Sequence, residues 1–227
     1  MTLYNRHQPV LLQETLDLLA CAPGQCVVDA TVGYGGHGFE ICKRLGEKGV
    51  FIGIDRDDEA VKCAWTVLHT FPCRVEILHG NFARMDELVW GLEIEQVDGI
   101  LYDTGVSSAQ LDQPERGFSF VDAPLDMRMS QEDLARVLRE YADERRSRSI
   151  ARAIVSRRLS HPIRTTGELR ALVHRCYGGR SHLHGIDTAT RTFLAVRIAL
   201  NRELENLKVG LEKGWKLLRP GGKLVTI

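Results

Sequence analysis

Three features of this sequence predict an α/β protein built on a parallel sheet. Short apolar runs recur at 27–30, 50–54, 75–78 and 97–102. Amphipathic segments of helical period separate them. The first run leads into four glycines within six residues, Gly33, Gly35, Gly36 and Gly38, and then into Phe39, Ile41, Cys42 and Leu45. That order is strand, tight turn, helix. Alternation at such short intervals calls for right-handed crossovers between parallel strands.

The elements follow in order. Residues 8–20 open with Pro9 and carry Val10, Leu11, Leu12, Leu16 and Leu19 at helical spacing, ending at Gly24. Residues 27–30 form the first strand and 38–46 the first helix of the sheet unit. Val-Phe-Ile-Gly-Ile at 50–54 reads as a buried strand ending at Asp55. Ala60, Val61, Ala64, Val67 and Leu68 give the next helix, over 58–71, its apolar side. A third strand at 75–78 precedes Gly80-Asn81-Phe82, a helical stretch covers 85–92, and the fourth strand ends at Asp103.

The rhythm then breaks. Residues 104–129 are rich in Gly, Pro and Ser, and 131–160 are helical. Thr165-Thr166-Gly167-Glu168 has the pattern of a capping box before a helix at 169–176. A Gly/His/Arg loop spans 177–187, and 190–218 reads as one or two helices. Pro220-Gly221-Gly222 makes a turn, and another strand runs from Lys223 to Ile227. The expected organisation is a sheet unit over 1–109, an inserted helical, Arg-rich domain over 110–200, and a return to the sheet over 201–227.

With 44% hydrophobic and 26% charged residues among 227, the composition is that of a globular protein. No apolar run approaches the roughly 18 residues that span a bilayer. Residues 1–13 carry no secretory signal pattern. The cysteines at 21, 26, 42, 63, 73 and 176 form no C-x-x-C pair, so they are expected to be reduced thiols of a cytoplasmic protein. His182-x-His184 lacks nearby partner ligands and is expected in a surface loop, with no metal.

The net charge of zero hides an asymmetry. Residues 1–135 hold 10 bases and 22 acids, a balance of −12; 136–180 hold 12 arginines, no lysine and 4 acids, +8; 181–227 hold 8 bases and 4 acids, +4. The guanidinium fork matches phosphate oxygens and stacks on bases, so an Arg-only block favours nucleic acid. The alternative is a solvated helical face with intrahelical ion pairs.

Ligands of open α/β sheets sit at the carboxyl ends of the strands. Here those ends carry Asp29 and the glycine turn, Asp55, Asn81-Phe82 and Asp103. Gly33-x-Gly35-x-x-Gly38 fits a dinucleotide turn, and Asp55, 22 residues after Gly33, has the reach to grip ribose hydroxyls. Asp55 as a helix cap is the alternative. A pyrophosphate is anionic and is disfavoured by three carboxylates. S-adenosylmethionine is cationic at its sulfonium and ammonium and is favoured by them.

Long motifs carry a further identification. They are His7-x-Pro9-Val10-Leu11-Leu12-x-Glu14, Asp29-Ala30-Thr31-x-Gly33-x-Gly35-Gly36-His37, Asp103-x-Gly105-Val106-Ser107-Ser108-x-Gln110-Leu111-Asp112, Arg116-Gly117-Phe118-Ser119-Phe120, Pro124-Leu125-Asp126-Met127-Arg128-Met129 and Thr190-Arg191-Thr192-Phe193. In these the chain resembles, from about His7 to Ile227, the ribosomal RNA small subunit methyltransferase H family, also called MraW. The resemblance implies a class I, Rossmann-like S-adenosylmethionine-dependent methyltransferase with an inserted helical domain. It implies methylation of N4 of a cytidine in the decoding region of bacterial 16S rRNA, with that rRNA in the small ribosomal subunit as partner. No membrane partner is expected, and a homodimer is left open.

Carried over by position, the cofactor contacts are Gly35, Gly36, His37, Asp55, Phe82, Asp103 and Gln110. His37 as a helix-start residue and Phe82 as a core residue are the alternatives. Asp103 is the candidate acceptor for the substrate amine, with Ser107 or Ser108 placing the base. Arg116, Arg145, Arg146, Arg148, Arg152, Arg157 and Arg158 are the expected phosphate contacts. Four departures from the family pattern stand out: Thr104 in place of leucine, Leu194 in place of glutamine, a short segment between Met129 and Leu134, and an end at Ile227 where the family continues. Two other functions therefore stay open, a non-catalytic S-adenosylmethionine- or RNA-binding remnant and a nicotinamide-dependent oxidoreductase using Gly33, Gly35 and Gly38.

Overall fold

The computed structural model describes residues 9–104, 129–161, 163 and 165–227. It divides into two compact units, Met1–Ser107 with Glu205–Ile227, and Ser108–Leu204. Ser107, Ser108, Gln110 and Arg116 lie outside the described residues.

The first unit is a five-stranded sheet. Its strands are β1 (Cys26–Asp29), β2 (Val50–Asp55), β3 (Arg74–His79), β4 (Val97–Tyr102) and β7 (Leu218–Thr226), in the order β3-β2-β1-β4-β7. Every neighbouring pair is parallel, as expected for strands joined through helices. The helices are α1 (Leu12–Leu19), α2 (Gly36–Leu45), α3 (Asp58–Leu68), α4 (Met85–Trp90) and α9 (Glu203–Leu217). Side chains alternate across a strand, so adjacent residues of β1 enter different cores. Val27 joins Phe51, Leu16, Leu19, Ile41, Leu45 and Leu68. Val28 joins Ile52, Ile54, Met85, Val89, Tyr102 and Leu217. Both faces are buried, which explains why the central strands read as continuous apolar runs.

The second unit packs α5 (Gln131–Ala142), α6 (Ser147–Ser160), α7 (Thr166–Cys176) and α8 (Thr190–Leu200) around Leu138, Ile150, Ile154, Leu169, Val173, Phe193 and Val196. The expected capping box is present: the Thr165 hydroxyl accepts from the Glu168 N–H, and the Glu168 carboxylate accepts from the Thr165 N–H. Leu194, the leucine in place of the family's glutamine, is on the surface.

Three local expectations change. The helical stretch 131–160 is two helices, because Asp143 adopts a φ of 47° and returns its N–H to Arg139 and Leu138. Glu144 beyond it is buried and accepts from the Tyr177 hydroxyl at 2.6 Å and the Arg146 N–H at 2.8 Å. The loop at 177–187 contains an antiparallel hairpin of β5 (His182–Leu183) and β6 (Ile186–Asp187). Strand β7 starts at Leu218 rather than Lys223. Val97 pairs with Leu218 and Gly99 with Lys223, so Pro220-Gly221-Gly222 is taken up as an irregularity within the strand, with Gly221 at φ +84°.

Candidate active site

The carboxyl ends of β1, β2 and β4 lie side by side, and the turn after β1 is stitched to all three. Ala30 N–H donates to the Leu101 carbonyl of β4 at 2.8 Å, and Val32 N–H to the Ile54 carbonyl of β2 at 3.0 Å. Gly33 N–H donates to Asp55 Oδ2 at 2.9 Å. The Thr31 hydroxyl accepts the Asp103 N–H at 2.7 Å and bonds to the Asp29 carboxylate. Thr31 therefore ties the end of β1 to the end of β4, a role that its place in the sequence motif did not reveal.

The four glycines do different work. Gly33 at φ +51° and Gly35 at φ +85° occupy backbone conformations that L side chains rarely adopt. Gly36 makes room for Pro9, whose Cγ lies 2.7 Å from where a Cβ would sit, and Gly38 makes room for Phe51 and Leu68, at 2.8 and 2.9 Å. The N–H groups of Gly33 and Gly35 are already used, the latter by the Val32 carbonyl. The donors left for a ligand are those of Gly36, His37 and Gly38, the first turn of α2, which no carbonyl among the described residues accepts.

Three carboxylates surround this turn. Asp29 is 1% exposed; burial, aided by the charges of Asp103 and Asp55, pushes its pKa up to about 7 against its two Thr31 hydrogen bonds. Burial also raises Asp55 and Asp103. Asp55 Oδ1 accepts from Asp57 N–H at 2.9 Å, and the Arg56 N–H also bonds to the carboxylate, so each of its oxygens holds at least one backbone amide. The cap of α3 is Asp57, not Asp55: its side chain takes the Glu59 N–H at 2.9 Å. Asp103 Oδ2 lies 3.6 Å from His37 Nδ1, and its side chain is 37% exposed.

Phe82 opens a one-turn 3-10 segment, Phe82–Arg84, that Asn81 caps through the Ala83 N–H at 2.9 Å. Its ring stands edge-on to Tyr102, 5.6 Å between centroids, and abuts α9, where a Cβ on Gly210 would come within 2.7 Å. The structure thus places at least part of Phe82 in the core. Thr104 is tied to the end of β7, its N–H and hydroxyl both donating to the Ile227 carbonyl, at 2.9 and 3.1 Å. A leucine there cannot make the second bond.

The MraW methylase family profile matches residues 4–227. The chain belongs to the MraW methylase family. It is 44% identical to the ribosomal RNA small subunit methyltransferase H of Caldicellulosiruptor bescii, covering 97% of this chain and 76% of that protein. It is 43% identical to the protein of the same name from Symbiobacterium thermophilum, over 97% and 74% of the two chains. The Syntrophotalea carbinolica protein of that name is 44% identical over 98% and 76%.

For this MraW-family chain, the site fits S-adenosylmethionine by its charge. Burial lifts Asp29 to about 7, and repulsion from the nearby charges of Asp103 and Asp55 adds to that shift. A cationic ligand relieves that repulsion, whereas a pyrophosphate adds to it. Among the described residues no group of three or more His, Cys, Asp or Glu is arranged to hold a metal.

The arginines of the helical unit separate into two sets. Arg145, Arg148 and Arg152 are exposed, and their side chains have no hydrogen-bond or ion-pair partner among the described residues. Arg148 and Arg152 are one turn apart on α6, on the side away from its buried Ile150 and Ile154. Others are committed internally. Arg146 donates to the Cys176 carbonyl at 2.7 Å and lies 4.8 Å over the Tyr177 ring. Arg158 donates to the Met129 carbonyl at 2.9 Å. Arg157 is half-buried. The intrahelical ion pairs weighed as an alternative exist for Arg136 with Asp133 and for Arg139 with Asp143, but on α5. No described helix is long and apolar enough to cross a membrane.

Proposed function

We propose that this chain methylates N4 of a cytidine in the decoding region of 16S rRNA, within the small ribosomal subunit in the cytoplasm. The observation that carries this reading is the ring of Asp29, Asp55 and Asp103 around the glycine turn of a MraW-family chain. The relatives it matches are named as small-subunit rRNA methyltransferases. S-adenosylmethionine, when bound, supplies an activated methyl group. The first-turn amides of Gly36, His37 and Gly38 receive its methionine end. Asp55 takes the ribose hydroxyls on lone pairs that its backbone bonds leave free. Phe82, braced by Tyr102, is set against the adenine, and Gln110 completes the contacts as the family resemblance implies.

The exocyclic amine of cytosine is a weak nucleophile because its lone pair is delocalised into the ring. Positioning supplies most of what such a reaction needs. Asp103 accepts an N–H of the amine and stabilises the positive charge that builds on nitrogen. Ser107 and Ser108 place the base, which must leave its stack to reach a strand-end site. The exposed Arg145, Arg148 and Arg152 hold phosphates. Arg148 and Arg152 are like charges at i,i+4, which weakens a helix unless an anion neutralises them.

The deciding experiment is transfer of a labelled methyl group from S-adenosylmethionine to small subunits lacking N4-methylcytidine, with nuclease digestion and mass mapping. Label at one decoding-region cytidine is expected, and its loss in Asp103→Asn. Label on another nucleotide discards the position and base. Donor binding without transfer to any rRNA favours the non-catalytic alternative.

A further inference from the structure

Family resemblance assigns His37 to cofactor contact through the glycine turn, but its imidazole is engaged elsewhere. The side chain is buried in the first turn of α2, and both ring nitrogens have defined neighbours. Nε2 lies 3.1 Å from the Val10 carbonyl. A carbonyl only accepts, so Nε2 carries a hydrogen. Nδ1 faces Asp103 Oδ2 across 3.6 Å. In a neutral imidazole protonated at Nε2, Nδ1 presents a lone pair, and a lone pair facing an ionised carboxylate is repelled. One proton on either partner removes the conflict, as imidazolium with carboxylate or as imidazole accepting from a carboxylic acid.

We infer that His37 is a positioning residue for methyl transfer: the Val10 carbonyl fixes its tautomer, and Nδ1, 3.6 Å from Asp103 Oδ2, couples electrostatically to that carboxyl and orients it. This rests on Asp103 as the acceptor of the amine proton. Pro9 seated on Gly36 holds the chain that presents the Val10 carbonyl. The Thr31 hydroxyl holds the Asp103 N–H, so the backbone is anchored and the carboxyl responds to His37. His37 is the only cation-forming group paired with Asp103 among the described residues. Asp29 and Asp55 are acidic neighbours at these strand ends, with Arg56, Asp57 and Asp58 following Asp55, and Asp29 feels the charges of Asp55 and Asp103.

As the amine nitrogen bonds to the methyl carbon, the donor's sulfur keeps the electron pair of the bond that breaks. Asp103 receives the proton the nitrogen loses. Burial lowers the His37 pKa and the Asp103 charge opposes that shift; when His37 is protonated, its charge favours the ionised carboxyl from one side and leaves the other oxygen for the amine. Asp103 is partly exposed, so the pair returns the extra proton to water.

The first test uses 15N-histidine NMR of the full chain without cofactor. His37 is identified among the eight histidines as the signal missing in His37→Gln. An Nε2–H tautomer is expected, with a titration midpoint that falls by about one pH unit in Asp103→Asn. An Nδ1–H tautomer, or an unmoved midpoint, overturns the inference. The second test is the pH profile of methyl transfer. In His37→Gln the acid limb of kcat should move up by about one pH unit, because Asp103 loses the charge that keeps it ionised. Activity should recover at high pH, with KM for the donor little changed. Equal loss at every pH overturns the inference, since a merely structural histidine gives that. If the wild type methylates no rRNA, the proposed function fails while the NMR result still decides the His37–Asp103 pair.

Discussion

Replacing Thr31 with valine should unfasten the end of β4 from the end of β1 while keeping the side chain's shape. Two hydrogen bonds disappear. The Asp103 N–H, now 2.7 Å from the hydroxyl, is left facing a methyl group, and Asp29 loses its side-chain bond from Thr31. Each such bond contributes about 1 kcal/mol net, and orphaning a donor adds to the loss. Both residues at the first bond are only partly buried, so water compensates some of it. The expected destabilisation is about 2 kcal/mol, roughly thirtyfold in the folding equilibrium. Tryptophan fluorescence in urea measures it in the right place, because Trp65, Trp90 and Trp215, the three tryptophans of the chain, all belong to the sheet unit. Thr31→Ser keeps the hydroxyl and should restore most of the stability. Methyl transfer should fall in Thr31→Val beyond any loss of donor affinity, because Asp103 is displaced. A valine variant as stable as wild type within about 0.5 kcal/mol and fully active would refute the anchoring role.

Three other outcomes are expected. Asp29 releases its proton near 3.8 when unfolded and near 7 when folded; between these values the native state holds a proton the unfolded chain has lost, so stability falls as pH rises from about 4 to about 7, by at most about 4 kcal/mol, and urea titrations of Asp29→Asn should show a shallower fall than wild type. Replacing Arg148 and Arg152 together by glutamine should weaken rRNA binding and reduce the slope of log affinity against log salt by about 1.4, two phosphates at about 0.7 each; Arg146→Gln should leave that slope unchanged and lower the stability of the helical unit, since its guanidinium holds the Cys176 carbonyl. Gly210→Ala should drive a Cβ to within 2.7 Å of the Phe82 ring, costing about 1–3 kcal/mol and weakening S-adenosylmethionine binding in calorimetry; unchanged affinity would remove Phe82 from the cofactor site.

The sheet was legible because its central strands β1, β2 and β4 are buried on both faces and the helices on one, and those patterns survive in a single sequence. The site was legible in part. Parallel strands end on one side, so Asp29, Asp55 and Asp103 had to converge once the strands were placed, and their charge pointed to a cationic ligand. The glycines illustrate what was not legible. Gly33 and Gly35 serve backbone conformation, but Gly36 and Gly38 yield to Pro9, Phe51 and Leu68, neighbours that no local pattern names. The arginines show the same limit. Twelve in 136–180 marked a basic block, yet only the folded helices distinguish the exposed Arg148 and Arg152 from Arg146 and Arg158, which bond to backbone carbonyls.

By itself, then, the sequence determined the α/β class, the parallel strands, the acidic ring at their carboxyl ends and, through its long motifs, the family. Those properties rest on periodicity, residue chemistry and contiguous residues, all of which are local. Tertiary structure alone decided that Thr31 joins two strand ends, that Asp55 holds the glycine turn, and that His37 lies between the Val10 carbonyl and Asp103. Each of those pairings spans between 22 and 72 residues of chain. A partner so distant is set by packing of the sheet and its helices, and packing is not written in any one stretch.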